Sequence, residues 1–368
     1  LVFWECGWFK ELNETGNIYD CIVIGGGQSG LALGYYLNKT GIDYLIIDEN
    51  QQPGGSWNHT WETLNLFSPS EHSSLPGWQM PKSADYFPDK YHVLNYLEQY
   101  EKRYKLNILR PCKAITVTKE KNIFKIQTQN ELLKTHSLIM ATGTWKNKFI
   151  PEEPASDLFE GILIHSGEYH SYTEFIDKKV LVIGGGNSGA QIAAELLKYT
   201  KVVWVTLHQP RFLPSEINGK DLFDYATSRY RESKTNLSPS TNNLGDIVQV
   251  DEVRSALQNK LYDIRRPMIS FTRTGVIWPG GIEESFDAVI WCTGFKPDLS
   301  LTEQLGAMIN NKVPVTGTKA NLCNGLWMVG YGNWTGFASA TLIGVGRTAK
   351  KTISEVKDYL LNRNIIKS

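Results

Sequence analysis

The chain has 368 residues, enough for about two domains, and its 41% hydrophobic content supplies a sizeable core. Its 38 Lys and Arg balance 38 Asp and Glu, which argues against partners that select basic surface, nucleic acid or an anionic membrane. Cys6, Cys21, Cys112, Cys292 and Cys323 are odd in number and lack CxxC spacing, so no disulfide framework, zinc site or thiol redox pair is expected, and a reducing, cytoplasmic compartment is.

Residues 1–16, "LVFWECGWFKELNETG", lack the basic n-region, long apolar core and small-residue cleavage site of a signal peptide. They read as an N-terminal extension outside the fold. No apolar run reaches the ~18–20 residues that span a bilayer.

From Ile18, "IYDCIVI" is a short apolar run, as expected of a buried parallel strand. Gly25, Gly27 and Gly30 then fit G-x-G-x-x-G and open a helix. A second buried strand, "DYLIIDEN", ends in Asp48 and Glu49. Each part has a physical task. Gly25 permits a tight turn, Gly27 leaves room for a pyrophosphate, and Gly30 lets helix and strand pack closely. The helix N-terminus, at Gln28 and Ser29, offers free N–H groups to phosphates. Asp48 lies about 20 residues on, where an acid binds ribose hydroxyls.

Residues 108–145 read as several short strands, the last ending in Ala141-Thr142-Gly143. The second unit then repeats the first. "KKVLVIG" is its strand, Gly184, Gly186 and Gly189 its turn, and Asn187, Ser188 and Gln191 lie on its helix. The next strand, "KVVWVT", ends in Thr206-Leu207-His208-Gln209 with no acid for a ribose. No arginine stands there either; Arg211 is the nearest. This end is therefore expected to be permissive between NADPH and NADH. One turn with an acid and one without imply two dinucleotides, FAD at the first and a nicotinamide donor at the second.

The segment from Leu222 to Leu261 is polar, and no chemistry is assigned to it. "FDAVIWCTGFKPD" is another buried strand, ending in Thr293-Gly294. The two T-G ends flank the second unit and read as the crossings between two domains. Residues from Ala338 to Leu361 read as a closing helix, whose start near Asn333 and Thr335 is expected to direct N–H groups at the flavin. The expected fold class is α/β, with two Rossmann-like dinucleotide-binding domains. The NAD(P)H domain, 151–285, is inserted into a discontinuous FAD domain, 17–150 plus 286–368.

These residues resemble the flavin-containing monooxygenases, especially the short bacterial members, with Baeyer–Villiger enzymes as relatives. Four features carry the resemblance: the paired turns, Pro53-Gly54-Gly55-Ser56-Trp57, the two T-G ends, and "FEGILIHSGEYH". The last sets Phe159, Gly161, His165 and Tyr169 in an F-x-G-x-x-x-H-x-x-x-Y frame. There are departures. The family usually follows the frame's aromatic with lysine or arginine, where this chain has His170. Larger members carry an asparagine beside the flavin. Aligning "TLNLFSPSEHSSLPGWQMP" by its ends puts Phe67 there, as a wall of the substrate pocket or as a core residue.

The resemblance implies a cycle in which NADPH or NADH reduces FAD, O2 yields a C4a-(hydro)peroxyflavin, and a small sulfide, amine or ketone is oxygenated. Gly55, Ser56 and Trp57 are then expected beside FAD, with Thr142 and Gly143; Thr293 and Gly294 are expected beside NAD(P)H. The cofactor carries the chemistry, so no essential metal is expected. His165 is read as a positioning histidine near the domain link more readily than as a base. The rivals are an FAD-dependent oxidase or reductase passing electrons to O2, a quinone or a protein, and a redox-sensing protein without turnover. The expected partners are a small substrate and O2, with a homodimer as the candidate assembly.

Overall fold

The computed structural model describes residues 18–215, 217, 221, 246–336 and 338–367. The expected extension 1–16 and most of the polar segment, residues 222–245, lie outside them.

The first sheet begins with β1 (Ile18–Ile24), β2 (Tyr44–Ile47), β3 (Ile108–Leu109), β4 (Ala114–Glu120), β5 (Ile123–Thr128) and β6 (Leu132–Met140). β1 pairs in parallel with β2 and β6, and β2 with β3. β4, β5 and β6 form an antiparallel meander. The helix α1 (Gln28–Leu37) follows β1, and α2 (Lys90–Tyr104) precedes β3.

The chain then builds a second sheet from β7 (Ile162–His165), β8 (Lys179–Ile183), β9 (Lys201–Val205), β10 (Asp263–Arg265) and, after three short strands, β14 (Ala288–Trp291). Its order is β10-β9-β8-β14-β7, and every pairing is parallel. The helix α3 (Asn187–Leu196) connects β8 to β9. The three short strands, β11 (Ser270–Phe271), β12 (Gly275–Ile277) and β13 (Glu283–Ser285), form an antiparallel sheet of their own. β15 (Val315–Thr316), β16 (Lys319–Ala320) and β17 (Leu326–Met328) return to the first sheet, where β17 pairs in parallel with β6. The first sheet is thus assembled from two stretches that flank the second.

Period-two alternation explains the layers. In β1, Cys21 and Val23 face a core shared with α1, α2 and the closing helix Leu342–Leu361. Ile22 and Ile24 face the opposite core, shared with Val117, Phe124 and Ile126 of the meander. In β8, Val180 and Val182 pack on Ala190 and Ile192 of α3. Leu181 and Ile183 pack on Phe271 and Val276 of the three-stranded sheet. Both faces of each central strand are covered, which is why these strands read as continuous apolar runs.

The closing helix starts at Leu342, four residues later than the sequence suggests. Thr341 caps it, its Oγ1 accepting from the Gly344 N–H at 3.0 Å. Asn333 and Thr335 fall instead in a separate 3-10 turn, Gly332–Thr335. Among the described residues no helix is long and apolar enough to cross a membrane.

Candidate functional site

The first glycine turn is shaped by close backbone approach. Gly25 has φ +115°, and a Cβ there would lie 2.3 Å from the Ala141 carbonyl oxygen. A Cβ on Gly30 would lie 2.0 Å from the Gly25 oxygen, so helix and turn meet with no room for a side chain. Gly55, at φ +57°, sits back to back with Gly27, its virtual Cβ 2.7 Å from the Gly27 Cα. Two glycine turns and the Ala141-Thr142-Gly143 strand end therefore converge.

They open onto a cavity of about 1490 Å³. Of the residues assigned to the first nucleotide, Gly25, Gly27, Gln28, Ser29, Asp48, Glu49, Gly55, Ser56, Thr142 and Gly143 line it. Gly30, Trp57, Asn333 and Thr335 do not. Trp57 packs on the core and donates its Nε1–H to Gln28 Oε1 at 3.0 Å. Gln28 in turn donates Nε2–H to the Ala340 oxygen at 2.5 Å, tying the turn to the approach of the closing helix. Thr335 is buried, with its Oγ1 accepting from the Tyr331 N–H, so its hydroxyl serves the 3-10 turn. Trp334 is the residue of that turn that reaches the lining.

Asp48 is not a free carboxylate. Its Oδ2 accepts from Arg110 Nε and Nη2 at 3.1 and 3.0 Å, and its Oδ1 accepts from the Asn50 side chain. Arg110 also grips both oxygens of Glu101, each at 2.9 Å. Asp48 and Arg110 are 4% and 8% exposed. Burial raises the Glu101 carboxyl, with Arg110 opposing the shift. Sequence inspection missed Arg110 and Glu101; the pairing of β2 with β3 brings Arg110 beside Asp48. Glu49 pairs with Lys146 across the cavity wall.

The two crossings between the sheets run side by side. The Phe149 N–H donates to Gly294 O at 2.9 Å, and the Lys296 N–H donates to Asn147 O at 2.7 Å. Thr142 Oγ1 donates to Asp298 O at 2.8 Å, and Thr293 Oγ1 donates to Phe149 O. His165, fully buried at the end of β7, joins them. Its Nε2–H donates to Gly294 O at 2.9 Å, and its Nδ1 accepts from the Gly167 N–H at 3.0 Å. Burial lowers its pKa. Both ring nitrogens are bonded to backbone groups, and His165 is absent from the cavity lining. The rest of its frame is also structural. Gly161 admits the Asp287 carbonyl, and the buried Tyr169 donates its hydroxyl to Glu195 Oε2 at 3.0 Å.

Phe67 does not wall the cavity; its side chain is exposed and outside the lining. The preceding Leu66 is buried in the core with its N–H on Pro88 O, so the next side chain turns outward.

The second turn repeats the first. A Cβ on Gly184 (φ +135°) would meet Cys292 O at 2.2 Å, and one on Gly189 would meet Gly184 O at 2.1 Å. A Cβ on Gly186 would meet nothing within 4 Å, so the turn faces open space. Asn187 uses its amide on the Asp246–Val248 segment, accepting from Val248 N–H and donating to Asp246 O. Ser188 is half-buried and Gln191 buried. None of these lines the cavity. At the end of β9 Thr206 is buried and His208 exposed. Arg211 pairs with Asp246. The expectation of a strand end without arginine is corrected here: Arg266, from the end of β10, donates to Thr206 Oγ1 and O and to Gln209 Oε1. Parallel pairing of β10 with β9 places it there.

The profile of the pyridine nucleotide-disulphide oxidoreductase family matches residues 22–330. A flavin-containing monooxygenase from Stenotrophomonas maltophilia is 38% identical, superposes with a TM-score of 0.84, and is matched over 93% of this chain and 99% of its own. The chain is a flavin-containing monooxygenase of that family. Among its curated relatives, an uncharacterised oxidoreductase CzcO of Bacillus velezensis is 30% identical over 92% of this chain and 99% of its own. The probable indole-3-pyruvate monooxygenase YUCCA1 of Arabidopsis thaliana is 27% identical over 93% of this monooxygenase and 90% of its own length.

Proposed function

We propose that this monooxygenase binds FAD at the first turn and NADPH or NADH at the second, and oxygenates a small sulfide, amine or ketone with O2. The observation that carries the reading is the convergence of the first turn, the Gly54-Gly55 turn and the Thr142-Gly143 end on one cavity of about 1490 Å³. A cradle with no room for side chains suits a pyrophosphate against the backbone. The N–H groups of Gln28 and Ser29, at the start of α1, hold the phosphates. Asp48, fixed by Arg110, accepts from the adenosine ribose. When bound, FAD supplies hydride acceptance from the nicotinamide and oxygen activation after reduction. The chain's own residues position the ring system and exclude water.

The FAD domain comprises 17–150 plus 286–368, with 151–285 inserted as the NAD(P)H domain. His165 locks the two crossings that join them. Disulfide reduction is the poorer reading. Among the described residues Cys112 is the single cysteine lining the cavity, and burial pushes its thiol up, away from a reactive thiolate. The four cysteines among the described residues are unpaired and buried, which suits a reducing cytoplasm.

The test is the stoichiometry of turnover with an aryl methyl thioether and a cyclic ketone as probes. Oxygenated product formed about one-to-one with NAD(P)H consumed supports the proposal. Stoichiometric hydrogen peroxide with every probe makes the protein an oxidase instead.

A further inference from the structure

We infer that Arg266 reads the 2′-phosphate of NADPH and makes this monooxygenase prefer NADPH to NADH. The inference rests on the second turn holding the nicotinamide dinucleotide.

The two nucleotide units match residue for residue at their ribose ends. In the first, β2 ends before Asp48, whose N–H donates to Leu109 O at 3.1 Å across to β3. In the second, β9 ends before Thr206, whose N–H donates to Arg265 O at 3.0 Å across to β10. The middle glycine of each turn lies over this position. A Cβ on Gly26 would meet Asp48 at 2.7 Å, and a Cβ on Gly185 would meet Thr206 at 3.5 Å. Each position is then bound by the arginine that follows the neighbouring strand, Arg110 in the first unit and Arg266 in the second.

The charge balance differs. Two carboxylates, Asp48 and Glu101, neutralise the buried Arg110. Arg266 is exposed, and its partners among the described residues are neutral: Thr206 O and Oγ1 at 3.0 and 2.7 Å, and Gln209 Oε1 at 2.6 Å. Among the described residues no ion pair is formed by Arg266. Those three bonds hold the guanidinium at the strand end and leave two of its five N–H donors for a further acceptor. The first unit therefore offers a carboxylate to a ribose diol. The second offers a pre-oriented cation with no carboxylate, which suits a 2′-phosphate and gives a 2′-hydroxyl nothing in exchange.

The test measures binding to the holoenzyme by calorimetry, with adenosine 2′,5′-bisphosphate and 5′-AMP as probes, beside the rates of anaerobic flavin reduction by NADPH and NADH. The wild type is expected to bind the bisphosphate about 10- to 100-fold more tightly than AMP, and to favour NADPH similarly. Arg266→Gln should weaken the bisphosphate and NADPH alone, bringing both ratios towards one. Thr206→Asp, which pairs with Arg266 as Asp48 does with Arg110, should reverse the preference. Equal binding of the two probes by the wild type overturns the inference without any variant. So does an Arg266→Gln protein whose ratios are unchanged, or whose affinities for both probes fall equally. A wild-type flavin reduced by neither nucleotide overturns the reading of the second turn itself, and this inference with it.

Discussion

A single guanidinium facing two carboxylates organises the first site. Arg110, Asp48 and Glu101 carry a net negative charge in a largely water-free corner beneath Gly26. Removing the cation leaves both acids uncompensated, which is costly because their desolvation persists while the attraction that offset it is gone. Arg110→Met is expected to destabilise the fold by about 3–5 kcal/mol in urea unfolding. Arg110→Lys, which keeps the charge but loses the fork, is expected to recover part of that loss. A Met variant as stable as the wild type would show that the acids are protonated or solvated there. The same scale accounts for Phe67. Its neighbour Leu66 is held in the core, and the chain bends at Phe67 with its ring exposed.

At the scale of elements, the crossings are tied by a histidine whose neutral form burial favours. His165 is buried at the end of β7, one nitrogen accepting from Gly167 and the other donating to Gly294. Burial is the main cause of its lowered pKa, and Lys148 adds to it. The unfolded chain protonates this ring near pH 6.5 and the folded chain only at lower pH, so the unfolded state binds more protons as the pH falls through that range. Stability is therefore flat above about pH 7.5 and falls as the pH drops through 6.5, by at most about 1.4 kcal/mol per pH unit from this ring. His136 on β6 is shifted the same way and adds to the slope. Thermal unfolding of His165→Gln between pH 5.5 and 7.5 should show a shallower fall than the wild type. An unchanged slope would mean that the ring titrates normally.

For the whole molecule, the cavity is walled by both crossings as well as by the first turn, since Trp145, Lys146, Lys296 and Asp298 line it together with Gln28 and Asp48. A ligand filling it stabilises the folded state by mass action. Stripping FAD is expected to lower the melting temperature and to speed hydrogen exchange in residues 141–149 and 296–301. Exchange in β8 and α3, whose residues are absent from the lining, should change little. Uniform deprotection of both sheets would count against FAD at the first turn.

The features legible before folding are those local along the chain. A buried strand, a glycine at each tight approach and a helix start follow within a dozen residues, so Gly25, Gly30, Gly184 and Gly189 were legible from spacing alone. The alternation of Cys21, Ile22, Val23 and Ile24 fixed which side chains meet which core once a sheet existed. Which cation meets each strand end came from the folded arrangement alone. Arg110 reaches Asp48, and Arg266 reaches Thr206, through strands roughly 60 residues away in sequence. Parallel pairing sets residues that are distant in the chain side by side, and no spacing rule along one strand records its neighbour. The same holds for His165, read from the sequence as a positioning histidine more readily than as a base, whose bond to Gly294 appears only in the folded chain. Its partner is a backbone carbonyl, and a carbonyl leaves no mark on the sequence.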